Sequence, residues 1–427
     1  MASNGVKYDL HTLPNGLRVV LAPMPDSATA TVVVMSGTGS RYENERENGL
    51  AHFLEHMFFK GTKKRPSARA VSEELDGVGA VYNAFTSKDR TAYFAKVSRQ
   101  YVDTALDVIG DIFLNSTLPA AEIKKERGAI IQEIDMYEDI PMRTVDNVFD
   151  ALIFGNHALG RTILGPKENI RSFSRKDFAD YLKRNYVSAN TVVCIAGNFS
   201  SAKVLAKIKK EFGQLKPAPA PTFAAYSGTQ TAPRIAIKEK KTDQTQLMVG
   251  VPAYPYAHKD EYALAVLSTI LGGGMSSRLF LEVREKRGLA YSVHAWADKY
   301  PDTGYFVVQA GVEHGKLEKA ISTILAEFRK IKKRKVSAEE LRKAKSYIKG
   351  TMTLSLETSD EIAQNATTSL INLGRIRPLD EILKGVDKVT SDDIARVAND
   401  ILKTSSLNLA IIGPHLHKAA LQKLLRI

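Results

Sequence analysis

His52, Glu55 and His56 stand within the five-residue stretch His52-Phe53-Leu54-Glu55-His56, and that spacing suits metal-assisted hydrolysis. On a helix, side chains four apart sit one above the other with Cβ atoms about 6 Å apart, so two imidazoles at that interval can grip one ion. A carboxylate one position before the second imidazole lies beside the same ion, where it can accept a proton from water. The order His-x-x-Glu-His inverts the commoner His-Glu-x-x-His. The surrounding residues predict the helix itself: over 48–59 the apolar Leu50, Phe53, Leu54 and Met57 mark a core face, and Gly61 follows as a stop.

A catalytic zinc site takes three protein ligands and keeps a fourth position open, and the third ligand is often a carboxylate from another element. Residues 119–138 predict a long helix, with Pro119 near its first turn, apolar Ile123, Ile130, Ile131 and Ile134, and Pro141 beyond its end. Glu126 and Glu133 lie seven apart on it, two turns along one face. By themselves they fit either a metal-directed pair or a solvated charged stripe.

With these residues in place, the chain resembles the pitrilysin/insulinase family of inverted zinc peptidases, most of all its compact two-domain bacterial members and the catalytic subunit of mitochondrial processing peptidase. The third zinc ligand of that family follows the second histidine after 76 intervening residues, which is Glu133 here, and an accessory glutamate seven residues earlier is matched by Glu126. Asn83-Ala84-Phe85-Thr86 and residues 272–293 (GGGMSSRLFLEVREKRGLAYSV) also match, and the similarity runs from about residue 8 to the C-terminus. The resemblance implies one zinc ion per chain on His52, His56 and Glu133, with Glu55 activating its water and Glu126 tuning the site. It further implies that Arg284 holds substrate and Tyr291 donates to the developing oxyanion. Asn83, Ala84, Phe85 and Thr86 would form an edge strand that pairs with extended substrate, Phe85 shaping a prime-side pocket.

The chain repeats itself. Thr91-Ala92-Tyr93-Phe94 has a counterpart in Thr303-Gly304-Tyr305-Phe306, and VVCIAG at 192–197 answers LAIIG at 409–413, at offsets of 212 and 216 residues. Two homologous domains follow: 1–215 with the metal motif, a Pro/Ala-rich linker at 216–233, and a metal-free 234–427 that completes the substrate cleft. Strands at 18–22, 30–36, 246–252 and 305–310 alternate with amphipathic helices, which predicts an α/β fold with a helix-covered sheet in each half. The resemblance makes those sheets mainly antiparallel (α+β in type) and the pair clamshell-like. The duplication is also an internal control: where the first half has His52, Glu55 and His56, the second has Thr269, Gly272 and Gly273, and Ala344 and Thr351 stand near the positions of Glu126 and Glu133. Packing alone therefore does not require these groups.

Composition excludes several alternatives. A chain of 427 residues with 44% apolar and 25% charged residues is ordinary for a globular protein. No apolar run approaches the ~20 residues that span a bilayer, and the N-terminal residues lack a leader's cationic and apolar regions, so a cytoplasmic protein without membrane contact is expected. The single Cys194 permits no intrachain disulfide and reads as a small buried residue. The net charge of +13 is carried by runs such as KEKK (238–241) and KIKKRK (330–335) without interleaved aromatics, so no nucleic-acid partner is expected. Gly272-Gly273-Gly274 lacks the Lys-Ser/Thr of a phosphate loop and reads as a tight turn. The remaining histidines, His294 three after Tyr291 among them, show no ligand spacing supported by a third partner, and His415 and His417 read as surface residues.

The function expected is that of a zinc metalloendopeptidase acting on small or unfolded peptides in an enclosed chamber. Long members of the family carry four homologous units and this chain two, so a homodimer is expected in which the metal site of one subunit faces Arg284 and Tyr291 of the other. The competing reading is a non-catalytic peptide-binding or scaffolding subunit of a peptidase heterodimer. Family members of that kind lose one or more ligand positions, and all are present here.

Overall fold

The computed structural model describes residues 6–414 and 416–427. The first residues of the N-terminus and His415, for which the sequence predicts no leader and a surface position, lie outside this range. Two compact units are present, one made of Met1–Asp135, Arg161–Ala224 and Thr353–Leu379, the other of Met136–Gly160, Ala225–Met352 and Asp380–Ile427.

The first unit is built on six strands, β1 (Asp9–Thr12), β2 (Arg18–Pro23), β3 (Thr29–Ser36), β4 (Val81–Thr86), β5 (Thr91–Ser98) and β6 (Thr191–Gly197), in the order β1-β2-β6-β3-β5-β4. All pairings are antiparallel except β2 with β6. Strand side chains alternate between faces, and here both faces are apolar. Val19, Leu21, Val32, Val34, Val193 and Ile195 point into one core with the helices α1 (Leu50–Phe58), α2 (Ala68–Asp76), α3 (Val102–Asn115) and α4 (Ala120–Glu138). Val20, Ala22, Val33, Met35, Val192, Cys194 and Ala196 point into the other, where Ile362, Ala363, Ala366 and Leu370 of the helix Ser359–Leu373 cover them.

The second unit repeats this plan with β7 (Arg234–Glu239), β8 (Thr245–Ala253), β9 (Ala290–Lys299), β10 (Gly304–Val312) and β11 (Asn408–Gly413), ordered β7-β11-β8-β10-β9. Its one parallel pair, β7 with β11, stands where β2 and β6 stand in the first sheet. One face packs on the helices Glu261–Gly272, Leu317–Lys333 and Ser391–Ile401. The other, with Met248, Val307, Ala410 and Ile412, is covered by Val145, Phe149, Ile153 and Phe154 of α5 (Pro141–Phe154).

Each half of the chain thus lends one helix to the other half's sheet. Residues 216–233, expected as the single boundary, contain no helix or strand, yet the units are not the contiguous spans 1–215 and 234–427. The physical reason is that a sheet apolar on both faces needs cover on both, and helices from its own half cover only one. Cys194 is fully buried, as expected. Among the described residues no helix is long and apolar enough to cross a membrane.

Candidate metal centre and active site

The metal motif sits on a short helix whose start is fixed from outside. Gly49, the residue before α1, has φ of +102°, a conformation that glycine adopts without strain; a Cβ there would also meet the Leu164 carbonyl at 2.5 Å. Glycine offers no side chain to cap the helix, and Glu43 does so instead. Its Oε2 accepts from Gly49 N at 2.9 Å and Asn48 Nδ2 at 3.2 Å, and its Oε1 accepts from Ala51 N at 2.6 Å. Glu43 is 3% exposed; burial pushes its carboxyl up to about 8, against the pull of these three donors.

One turn into α1, His52 Nε2 and His56 Nε2 converge on Glu133 Oε2 of α4 at 3.7 and 3.6 Å. These are too long for hydrogen bonds, but close to the roughly 3.3 Å that separates neighbouring ligands around a tetrahedral zinc ion with bonds near 2.0 Å. The three ligand atoms all lie within 4.8 Å of one another, and this is the one such cluster among the described residues. Among the described residues His52 Nδ1 is buried without a hydrogen-bond partner, and its ring meets that of His56 edge-on with centroids 4.7 Å apart. Burial, with His56 adding to it, lowers the His52 pKa to about 3, so the ring is neutral and able to ligate. The residues present therefore fit zinc.

Behind His56 runs a chain of polar contacts. Its Nδ1 lies 2.8 Å from Glu126 Oε1, and Lys60 Nζ lies 2.6 Å from Glu126 Oε2. Burial would raise the Glu126 carboxyl, but His56 and Lys60 bring it down to about 2. An ionised carboxylate can only accept, so Nδ1 carries a proton and Nε2 is the nitrogen left for a metal. Burial opposes charging the His56 ring, but Glu126, Glu55 and Glu133 outweigh it and raise the His56 pKa, so a metal competes there with a proton. Glu55, on the same helix, is half-buried, and desolvation raises its carboxyl above the usual range; the Thr86 hydroxyl opposes this, donating to Oε2 at 2.6 Å.

The strand carrying Thr86, β4, is the edge of its sheet. Its alternation sorts the expected substrate residues. Tyr82 and Ala84 pack on the core shared with α1, whereas Phe85 packs on the opposite core with Val20 and Val33. Phe85 therefore faces away from the helix that bears the metal motif, because neighbouring strand residues point to opposite faces. Asn83 Oδ1 accepts from Ala84 N at 2.9 Å, an amide exposed at the sheet edge.

In the second unit, Arg284 and Tyr291 are brought together. The Arg284 guanidinium lies 4.7 Å from the Tyr291 ring centroid and 4.8 Å from that of Phe280, and Tyr291 is 76% exposed. The turn that carries Arg284, Phe280–Glu285, is a π-helix, a geometry common at functional sites. His294 is exposed on the edge strand β9.

The motif gave His52, Glu55 and His56 and the family resemblance added Glu126 and Glu133; the structure brings all five together, along with Glu43 and Lys60, which neither had named. The signal for Lys60 was its place four residues after His56, one further turn along. Glu43 gave none, because a cap supplied across a loop has no fixed spacing.

The inverted motif, the converging ligands and the duplicated sheets agree with what the chain matches. Residues 18–167 match the family described as Insulinase (Peptidase family M16), and residues 172–348 match the Peptidase M16 inactive domain. The chain belongs to peptidase family M16. It is 36% identical to the uncharacterized zinc protease YmxG of Bacillus subtilis over 95% of this chain and 98% of that one. An uncharacterized zinc protease of Streptomyces coelicolor is 35% identical, over 96% of this chain and 90% of that one. Among solved structures, a protease from Helicobacter pylori superposes with a TM-score of 0.89 at 28% identity, over 96% of this chain and 100% of that one. A chain of complex III2 from Candida albicans shares the fold, with a TM-score of 0.85 at 18% identity over 99% and 100%. The two M16 matches divide as the ligands do: the metal cluster lies in the first, and the match to the inactive domain holds none among the described residues.

Proposed function

We propose that this M16 chain is a zinc endopeptidase that hydrolyses small or unfolded peptides. The observation that carries the reading is the convergence of His52, His56 and Glu133, with Glu55 beside them. Zinc held by these three would supply Lewis-acid chemistry, polarising a peptide carbonyl and acidifying water. The rest falls to the protein's own groups. Glu55 takes the proton from the attacking water and passes it to the leaving amine, with no covalent intermediate. Glu126 keeps the His56 Nδ1 proton in place, and the outer edge of β4 receives an extended peptide through main-chain hydrogen bonds. The half-buried Arg284 and the exposed Tyr291 of the second unit serve substrate and oxyanion in the site of a second copy, so the working form is a homodimer with shared sites.

The test uses a quenched unstructured peptide and purified protein. Wild type should cleave it, a chelator should abolish cleavage and added zinc restore it. Glu55→Gln should keep zinc while losing about 10²- to 10⁴-fold in turnover. Wild-type turnover in that variant would sink the assignment. The rival reading, a scaffolding subunit, draws on the same fold occurring in complex III2; a zinc content near zero after mild purification would favour it.

A further inference from the structure

The Thr86 hydroxyl lies 2.6 Å from Glu55 Oε2, a length typical of an O–H donor on an ionised acceptor. Thr86 stands opposite Thr91 at the end of the β4–β5 ladder. The Thr91 hydroxyl donates to the Thr38 carbonyl at 2.9 Å and lies 3.5 Å from Thr86 Oγ1. With its neighbour's proton spent on Thr38, Thr86 has one proton to give, and it gives it to Glu55. The ladder does not require this hydroxyl, since a β-branched apolar residue holds an edge strand equally well. What the hydroxyl adds is a tie between the strand and one specific oxygen of a carboxylate on α1.

On that basis we infer that Thr86 is a positioning residue: its hydroxyl holds Oε2 of Glu55 and so leaves Oε1 as the oxygen that meets water. The inference rests on the hydrolase reading for what Glu55 does. It differs from a substrate-strand role for Thr86, because a residue that touches the peptide changes binding, whereas one that orients the base changes the chemical step.

The experiment compares Thr86→Val and Thr86→Ser in the full-length zinc-loaded protein, alone and with Glu55→Gln. Thr86→Val should lose roughly 10- to 100-fold in kcat, the scale of a misplaced catalytic group, with KM within about twofold and zinc affinity unchanged. Thr86→Ser should restore most of the rate. Added to Glu55→Gln, Thr86→Val should cost nothing further, since it acts through Glu55. A crystal structure of Thr86→Val should show the Glu55 side chain displaced. A rise in KM with kcat intact, or Glu55 unmoved in the crystal, would overturn the proposal. If wild type cleaves no peptide while Glu55 is displaced in Thr86→Val, the hydrolase reading fails and the positioning contact stands.

Discussion

Glu43→Gln isolates a buried carboxylate that serves the metal helix without touching the metal. Glu43 is 3% exposed, and burial raises its carboxyl to about 8 against an ordinary 4.5. An acid whose folded-state pKa is raised contributes stability below its unfolded pKa and loses that contribution as pH rises through the folded value. The window is therefore pH 4.5 to 8, and at about 1.4 kcal/mol per unit the full loss is on the order of 5 kcal/mol. Glutamine does not titrate, so this loss disappears in the variant. It carries a separate cost, because its amide nitrogen cannot accept from Ala51 N, leaving a buried donor unmet for about 1–3 kcal/mol. The variant should be less stable than wild type at pH 5, and the order should reverse by pH 9. Scanning calorimetry in a chelator from pH 5 to 9 reads this without any contribution from zinc, and each kcal/mol moves the melting point by about 2–4 °C in a unit of this size. Parallel melting curves across that range would refute the argument, since they would mean that Glu43 does not change its charge between those limits.

Glu133→Gln should weaken zinc binding at least about 100-fold, beyond the effect of an outer contact, as measured by competition with a chromophoric chelator; a full zinc complement at low free metal would remove Glu133 from the ligand set. Lys60→Met should cost about 10- to 100-fold in zinc affinity and move zinc loss to higher pH, because without its cation Glu126 takes up a proton sooner, whereas Lys60→Arg should restore both. Unchanged metal release in Lys60→Met would show that the pair with Glu126 is only a surface bridge. If sites are shared between subunits as proposed, mixing inactive Glu55→Gln with inactive Tyr291→Phe should recover activity, since each mixed dimer would then hold one intact site; verified subunit exchange without recovery would exclude shared sites.

The ends of the elements were legible where local chemistry writes them. The helix expected over 48–59 is Leu50–Phe58 and that expected over 119–138 is Ala120–Glu138, because apolar spacing, a bounding glycine and a bounding proline are short-range signals. The strands at 18–22, 30–36, 246–252 and 305–310 each appear within two residues of the expected ends. The domain division was less legible. A helix that covers its own sheet and one that crosses to the other have the same amphipathic pattern, so nothing in residues 141–154 or 359–373 announced the exchange.

For the site, the sequence by itself determined that two imidazoles and a carboxylate share one turn of helix, since four residues on a helix fix their separation. It also determined that only the first half carries them. The tertiary structure alone decided that Glu133, separated from His56 by 76 intervening residues, closes on both rings at 3.6 and 3.7 Å. It alone decided that Lys60 grips Glu126, that Thr86 gives its proton to Glu55 and that Glu43 caps α1. Those contacts join groups on separate elements, whose distance is set by how helices and strands pack rather than by the number of bonds between them.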